Sequence, residues 1–243
     1  MALHEQSDEA ARKRRRAASR TAWLAIIHSA LVFAAYYLLS SAPEVTASDA
    51  EFTEFYASPS NQSALLAAGL YLMPFAGIAF MWFIVALRIW IRRTSGALRD
   101  EFYSSGQLVS GIVFLALFLT ASASISVLAV GLDAEFGDID AQTARQFTEM
   151  GWALIVVFAM RMAAVFIITT SILGRRHRFL PVWFVVLGFV IGVALLLSAS
   201  VSSLLVLVMP LWMLLLGALL MLRAWTSPET LVGGLVSVEP ESP

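Results

Sequence analysis

Six apolar runs, separated by short charged islands, constrain this sequence more than any other feature. Each run is long enough for the ~20 helical residues that cross a hydrocarbon core of ~30 Å. Because unpaired backbone groups are costly in lipid, the runs are predicted to be helices. The predicted spans are 22–40, 64–87, 107–131, 150–173, 179–197 and 203–223. The sequence thus predicts an all-α, polytopic membrane bundle of six transmembrane helices.

The charged residues between the runs predict the orientation of this bundle. Fourteen of the 16 basic residues fall on one side of it, namely Arg12, Lys13, Arg14, Arg15, Arg16, Arg20, Arg88, Arg92, Arg93, Arg99, Arg175, Arg176, Arg178 and Arg223. The first and third connections are acidic and fall on the other side. Since basic residues in short loops stay cytoplasmic, both termini are predicted to be cytoplasmic.

Two polar tails flank the transmembrane domain, which is assigned to residues 21–225. Residues 1–20 form a basic cytoplasmic tail, and residues 226–243 form a second cytoplasmic tail; both are predicted to be disordered. The N-terminal region also resembles a secretory signal, with Ser40-Ser41-Ala42 as a possible cleavage site. However, its apolar run exceeds the usual roughly 7–15 residues, and Pro43 would hinder cleavage, so a first span is favoured.

Arg161 lies near the middle of the fourth span, where a charged side chain is costly. When the second, fourth and sixth spans are aligned on the basic residues at their inner ends, Pro74, Arg161 and Pro210 fall at nearly one depth. Each proline should kink its helix and free the carbonyl four residues earlier, at Leu70 and Val206. Helical side chains lean toward their own N-terminus. The alignment therefore predicts that the Arg161 guanidinium bonds these two carbonyls.

Four polar residues within the spans are candidates for a ligand-binding site: Arg161, Thr120, Ser122 and His28. The two hydroxyls could supplement the hydrogen bonding of Arg161, although such hydroxyls usually join helices. For His28, a neutral ring bonded to a neighbouring hydroxyl is the simpler interpretation. A functional role is the alternative, because intramembrane ionisable groups often mark functional sites.

The spans contain a glycine pattern for helix packing, and they lack groups for catalysis or metal binding. Gly188 and Gly192 form a G-x-x-x-G pattern in the fifth span, which predicts a close helix contact. The sequence has no cysteine, which excludes disulfides and thiolate metal sites. No catalytic residue, metal site or cofactor is predicted, because the spans lack a Ser–His pair, an Asp–Asp pair and a cluster of metal ligands.

The first connection contains a predicted short helix. Ser48-Asp49-Ala50-Glu51 has the S-x-x-E form of a capping box. Phe52, Phe55 and Tyr56 follow at i, i+3 and i+4, so they share one helix face. We expect this face to lie on the membrane surface.

Three segments resemble a family of bacterial six-span integral membrane proteins. They are LYLMPFAGIAFMWFIVALR (70–88), RDEFYSSGQLVSGIVFLA (99–116) and MRMAAVFIITTSILGRRHRFLPVWFVVLGF (160–189). The resemblance implies a six-span fold and a location in the bacterial plasma (inner) membrane. It implies no activity, and no catalytic residues carry over from it.

Two functions are compatible with these features. The first is a carrier or binding protein for an anionic or lipidic small molecule, centred on Arg161. The second is a non-enzymatic accessory or scaffolding subunit of a membrane complex. The expected partners are the lipid bilayer, including anionic lipid, and for the second function a membrane protein. Nucleic acid is not an expected partner, because a basic run just inside a first span is a topology determinant.

Overall fold

The computed structural model consists of helices and turns over the residues that it describes, which are 2–40, 42, 43, 46–95, 101–133, 140–198 and 202–226. Five helical segments of this part are long and apolar enough to cross a membrane, namely Arg15–Leu39, Pro59–Arg92, Glu101–Gly131, Ala141–Arg176 and Leu204–Trp225. A shorter apolar helix, Val182–Leu197, has 16 residues. The chain is therefore an all-helical, multi-pass membrane protein.

The helices are numbered in chain order. They are α1 Ala2–Leu39, α2 Asp49–Ala57, α3 Pro59–Leu66, α4 Met73–Ser95, α5 Glu101–Asp133, α6 Ala141–Trp152, α7 Met160–Arg176, α8 Val182–Leu197 and α9 Val208–Thr226. Turns of other helical types directly precede three of them: the first π turn Ala67–Leu72 before α4, the second π turn Ala153–Ala159 before α7, and the 3-10 turn Ser203–Leu207 before α9. Two long rods result, residues 59–95 and 141–176.

Helix α1 begins earlier than the sequence predicts. The tail 1–20 is expected to be disordered, whereas the structure describes it as helix from Ala2 onward. Ala, Glu, Lys and Arg dominate the segment, and these residues have high helix propensities, so the helix of the first span propagates into it. Of the second tail, residues 227–243 lie outside the described residues.

The bundle is built around α1 and α5. Helix α1 packs against α4 and α9, and α5 packs against α4, α6 and α7. Helix α8 packs mainly against α7 and lies at the edge of the bundle. Fully buried aromatic side chains from α4, α5, α7, α8 and α9 fill the interior, namely Phe80, Phe83, Phe114, Phe118, Phe166, Phe184 and Trp212. The centre of the bundle is therefore solidly packed.

Contacts between remote segments gather basic residues at one end of the bundle, named here the basic end. The guanidinium of Arg15 in α1 lies over the ring of Trp225 in α9, 4.9 Å from its centroid. Nη1 of Arg223 in α9 donates to the carbonyl of Arg178 after α7, at 3.1 Å. The end of α9 thus lies beside α1 and the α7–α8 turn.

The opposite end, named here the cap end, carries α2 and the beginnings of α3 and α6. The predicted capping box is confirmed: the backbone N–H of Ser48 donates to the Glu51 carboxylate at 2.7 Å, and the Glu51 N–H donates to the Ser48 hydroxyl at 3.3 Å. The bond from the Ser48 N–H, with a second bond from the Ser48 hydroxyl to the same carboxylate at 2.9 Å, holds the pKa of Glu51 below its usual value. Arg145 connects α6 to the start of α2: it donates to the carbonyl of Ala47 at 2.8 Å and to the carboxylate of Asp49 at 2.7 Å.

The aromatic face of α2 is buried within this cap. Phe52, Phe55 and Tyr56 share a hydrophobic cluster with Ile125 of α5 and Ala144 of α6. The expectation that this face lies on the membrane surface is therefore wrong. Helix α6 begins before the predicted fourth span, and its Ala144, together with Ile125 in the predicted third span, covers the face instead.

Candidate functional site

Arg161 lies in the first turn of α7, and its side chain is partly exposed. Nη1 donates to the carbonyl of Val157, one turn earlier, and Nη2 donates to the carbonyl of Ser198 at 3.4 Å. Ser198 is the residue that follows α8, so this bond connects the edge helix to α7. A guanidinium has five N–H donors. Two are used by described residues, and within that part of the chain three remain for another acceptor.

The prediction that Arg161 bonds the carbonyls of Leu70 and Val206 is wrong. The break at Pro74 is absorbed within its own rod, because the first π turn shifts the backbone hydrogen bonds by one residue ahead of it. The side chain of Leu70 is 46% exposed and points away from the core. Arg161 instead bonds a carbonyl of the second π turn on its own rod and the carbonyl at the end of α8.

The polar contacts near the two prolines come from α1. Nδ1 of His28 lies 2.9 Å from the carbonyl oxygen of Ala76, two residues after Pro74. The hydroxyl of the adjacent Ser29 donates to the carbonyl of Pro210 at 2.7 Å. Both α1 side chains are buried. Ser29 was not predicted from the sequence. The position of Ser29 beside His28 on an apolar helix is a signal that could have indicated it.

The two hydroxyls of α5 have separate roles. Ser122 donates to the carbonyl of Gly69, within the first π turn, at 3.0 Å. Thr120 is exposed and donates to the carbonyl of Ala116 on its own helix at 2.9 Å. Among the described residues, neither these hydroxyls nor His28 forms a hydrogen bond with Arg161. The four candidate residues therefore do not form one site.

A change of helix type lies shortly before each of the three aligned residues, Pro74, Arg161 and Pro210. The first π turn ends two residues before Pro74, the second π turn ends two residues before Arg161, and the 3-10 turn ends three residues before Pro210. Two of these changes precede a proline, which cannot donate the regular hydrogen bond. The third precedes the arginine, which bonds a carbonyl of that turn through its side chain.

Gly188 and Gly192 lie against α7. A methyl group at Gly192 would lie 2.5 Å from Cγ1 of Ile168, and one at Gly188 would collide with the hydroxyl of Ser171. The two glycines therefore allow α8 to approach α7 closely. Because α8 ends beside Ser198, this spacing also sets the distance between the Ser198 carbonyl and α7.

Further polar contacts and cavities lie away from Arg161. Nε2 of Gln107 in α5 donates to the hydroxyl of Thr170 in α7 at 2.8 Å, a contact that the sequence analysis missed. An open groove of about 680 Å³ lies at the cap end, lined in part by Glu51, Glu54 and Phe55. Within the described residues, no group of three or more His, Asp or Glu side chains could hold a metal ion.

The fold and the site define a multi-pass membrane protein with a partly exposed arginine inside its helical bundle. No family model, curated protein or solved structure matches the chain. The resemblance to bacterial six-span membrane proteins therefore stays a prediction.

Proposed function

We propose that the chain crosses a bacterial plasma (inner) membrane six times, with α8 as the fifth span and both termini in the cytoplasm. An even number of crossings returns the chain to the side where it began. The contact between Arg15 and Trp225, near the two ends of the described bundle, supports this arrangement. The basic end then faces the cytoplasm, in agreement with the distribution of basic residues in the sequence.

We further propose that the protein is a binding protein or carrier for an anionic lipidic molecule, and that Arg161 binds its anionic group. The single observation that carries this proposal is a partly exposed guanidinium, inside a predicted span, whose two hydrogen bonds among the described residues go to backbone carbonyls. Carbonyl oxygens leave its formal charge uncompensated. Among the described residues, Arg161 makes no ion pair; the ion pair seen there joins Arg145 and Asp49 at the cap end.

The depth of Arg161 favours a ligand from the leaflet at the cap end. Fourteen residues separate it from Arg175, which is about 21 Å of helix, so it lies roughly 9 Å below the far boundary of a ~30 Å core. The side chain leans toward the N-terminus of α7, which is the direction of the cap end. An arginine in this position reaches toward the interface, where lipid phosphates lie.

The short edge helix ends at the level of Arg161. Helix α8 has 16 residues, about 24 Å in length, which is less than the ~30 Å core. It therefore ends below the interface, at the level of Arg161, and the carbonyl of Ser198 meets the guanidinium there. A headgroup that reaches this level can bond the remaining donors of Arg161.

The free-energy cost of placing Arg161 in the membrane also favours a bound anion. An arginine at the centre of a span costs ~2.5–3.5 kcal/mol on insertion scales. Charge-assisted hydrogen bonds to a phosphate or carboxylate are about twice as strong as neutral ones. A bound lipid anion would therefore recover much of the insertion cost, which two carbonyl bonds recover only in part.

Native mass spectrometry of the full chain, purified in a mild detergent with lipid identification, tests this function. We expect Arg161→Met to retain fewer anionic lipids per chain than the wild type. Arg161→Lys should keep the lipid that Arg161→Met loses, but more weakly, because the charge remains. Arg20→Gln is the matched control, since it removes an exposed arginine of α1 at the basic end. The mass of the retained molecule distinguishes a phospholipid from a free fatty acid or a small solute.

Equal retention of lipid by the wild type and Arg161→Met would refute the proposal. Thermal unfolding of each variant in neutral detergent provides the stability control, because a misfolded variant would lose lipid for an unrelated reason.

A scaffolding or accessory role is the second candidate, and the filled interior favours it. Phe80, Phe118 and Trp212, from three helices, are fully or nearly fully buried, so a solute would have to displace several aromatic rings to pass between the helices. Under this alternative, a membrane protein partner co-purifies in fixed stoichiometry, and Arg161→Met has no effect on bound lipid.

A further inference from the structure

The turn between α7 and α8 has an unusual residue at its critical position. The N–H of Phe179 bonds the carbonyl of Gly174 at 3.0 Å, and the N–H of Arg178 bonds the carbonyl of Arg175 at 3.2 Å. This pattern is a Schellman motif, whose left-handed residue is usually glycine. Here Arg178 occupies that position, with a φ of 53°. A residue with a Cβ is disfavoured in this conformation, so the turn alone does not account for an arginine.

A second arginine is held at the same turn. Nη1 of Arg223 donates to the carbonyl of Arg178 at 3.1 Å, which places a guanidinium of α9 beside the α7–α8 turn. The side chains of Arg175, Arg178 and Arg223 are exposed. Within the described part of the chain, none of the three forms an ion pair with a carboxylate. Three positive charges, from the end of α7, the turn after it and the end of α9, therefore lie at one corner of the basic end.

Exposed tryptophans on α8 and α9 indicate the depth of this corner in the membrane. Trp183, in the first turn of α8, is 57% exposed, and Trp225, near the end of α9, is 67% exposed. Exposed tryptophan rings at the ends of spans lie at the headgroup level of a bilayer. The arginine cluster is thus placed at the depth of the lipid phosphates, where each arginine contributes to binding anionic lipid.

We propose that Arg175, Arg178 and Arg223 form a binding site for the headgroup phosphate of an anionic phospholipid in the leaflet at the basic end. The last turn of α7 carries Arg175, the α7–α8 turn carries Arg178, and the Arg178 carbonyl holds the guanidinium of Arg223. The strained conformation of Arg178 is retained because its side chain binds the phosphate. This site is separate from Arg161, and it does not depend on the function proposed for that residue.

Arg178→Gly tests the proposal, because it separates the turn from the charge. Glycine is the preferred residue at this position, so the variant should unfold at the same temperature as its parent, or at a higher one, in neutral detergent. The loss of one guanidinium should weaken binding of phosphatidylglycerol about five-fold, which corresponds to ~1 kcal/mol per arginine near the surface. Both quantities are measured on the full chain, the second by native mass spectrometry with phosphatidylglycerol added stepwise.

The measurements use an Arg161→Met parent, so that lipid bound at Arg161 does not contribute. Arg223→Gln should weaken binding to a similar extent, whereas Arg92→Gln, which removes an exposed arginine of α4 at the same end, should have a smaller effect. The proposal is overturned if Arg178→Gly binds phosphatidylglycerol as tightly as its parent. It is equally overturned if Arg92→Gln loses as much affinity, since the attraction would then be a general property of the basic end.

Discussion

Substitution of Gly192 by alanine should disturb both the packing of α8 and the environment of Arg161. The added methyl group would lie 2.5 Å from Cγ1 of Ile168 and 3.2 Å from the carbonyl oxygen of Ala164. Carbon atoms in contact lie about 3.5–4.0 Å apart, so the helices must separate by roughly 1 Å unless Ile168 rotates. Overpacking of this kind costs ~1–3 kcal/mol. The bond from Nη2 of Arg161 to Ser198 is already 3.4 Å long, and a further ~1 Å would break it.

Thermal unfolding in detergent and lipid retention by native mass spectrometry measure the two effects of Gly192→Ala. Gly131→Ala is the matched control, because a methyl group at Gly131 in α5 would have no neighbour within 4 Å among the described residues. Alanine is favoured over glycine in a helix by ~0.5–1 kcal/mol, so the control should be as stable as the wild type or more stable. If Gly192→Ala instead unfolds with the control and retains the same lipid, the packing of α7 on α8 does not position the Arg161 site.

Three further predictions concern other contacts. The pKa of Glu51 is lowered by its hydrogen bonds with Ser48, so its contribution to stability is present above the usual carboxyl pKa of ~4.3 and is lost as the pH falls through the lowered value. Glu51→Gln should remove this part of the acid dependence of thermal unfolding. Ser122→Ala should destabilise the bundle by ~0.6 kcal/mol, a typical value for hydrogen bonds between membrane helices, whereas Thr120→Ala should have no measurable effect. Arg145→Gln should release α2 from α6, and limited proteolysis should then cleave the first connection faster.

Each of these predictions has a contradicting result. An unchanged acid profile in Glu51→Gln would mean that the capping box does not stabilise the cap. Equal losses in Ser122→Ala and Thr120→Ala would mean that the bond to the first π turn contributes nothing specific. A protease-resistant Arg145→Gln would mean that the buried aromatic face of α2 holds the cap without the arginine.

The position of the helix breaks along the chain was predictable from the sequence, whereas the hydrogen-bond partners of the side chains near them were not. Alignment on basic residues predicted one depth for Pro74, Arg161 and Pro210, and a change of helix type lies two or three residues before each of them. The rotation of each helix about its axis determines which carbonyl a side chain meets, and apolar runs contain little information about it. The second π turn also has no sequence signal, because no proline accompanies it.

The cap illustrates a second limit of sequence reasoning. Local rules predicted α2 and its capping box, since these depend on residues only three positions apart. The burial of Phe52 depends on Ile125 and Ala144, which are remote in sequence. The helical extent of residues 2–20 exceeded the prediction for a related reason, because helix propagation from the first span offsets the high net charge of the tail.

The most direct test of the central claim, that the Arg161 guanidinium binds a lipid anion, is a solid-state NMR distance measurement. The full chain, labelled with ¹⁵N in its arginine side chains, is reconstituted in bilayers that contain phosphatidylglycerol, and ¹⁵N–³¹P dephasing is compared between the wild type and Arg161→Met. If Arg161 binds a lipid phosphate, one dephased guanidinium signal is present in the wild type and absent from Arg161→Met. Identical dephasing in the two proteins would contradict it.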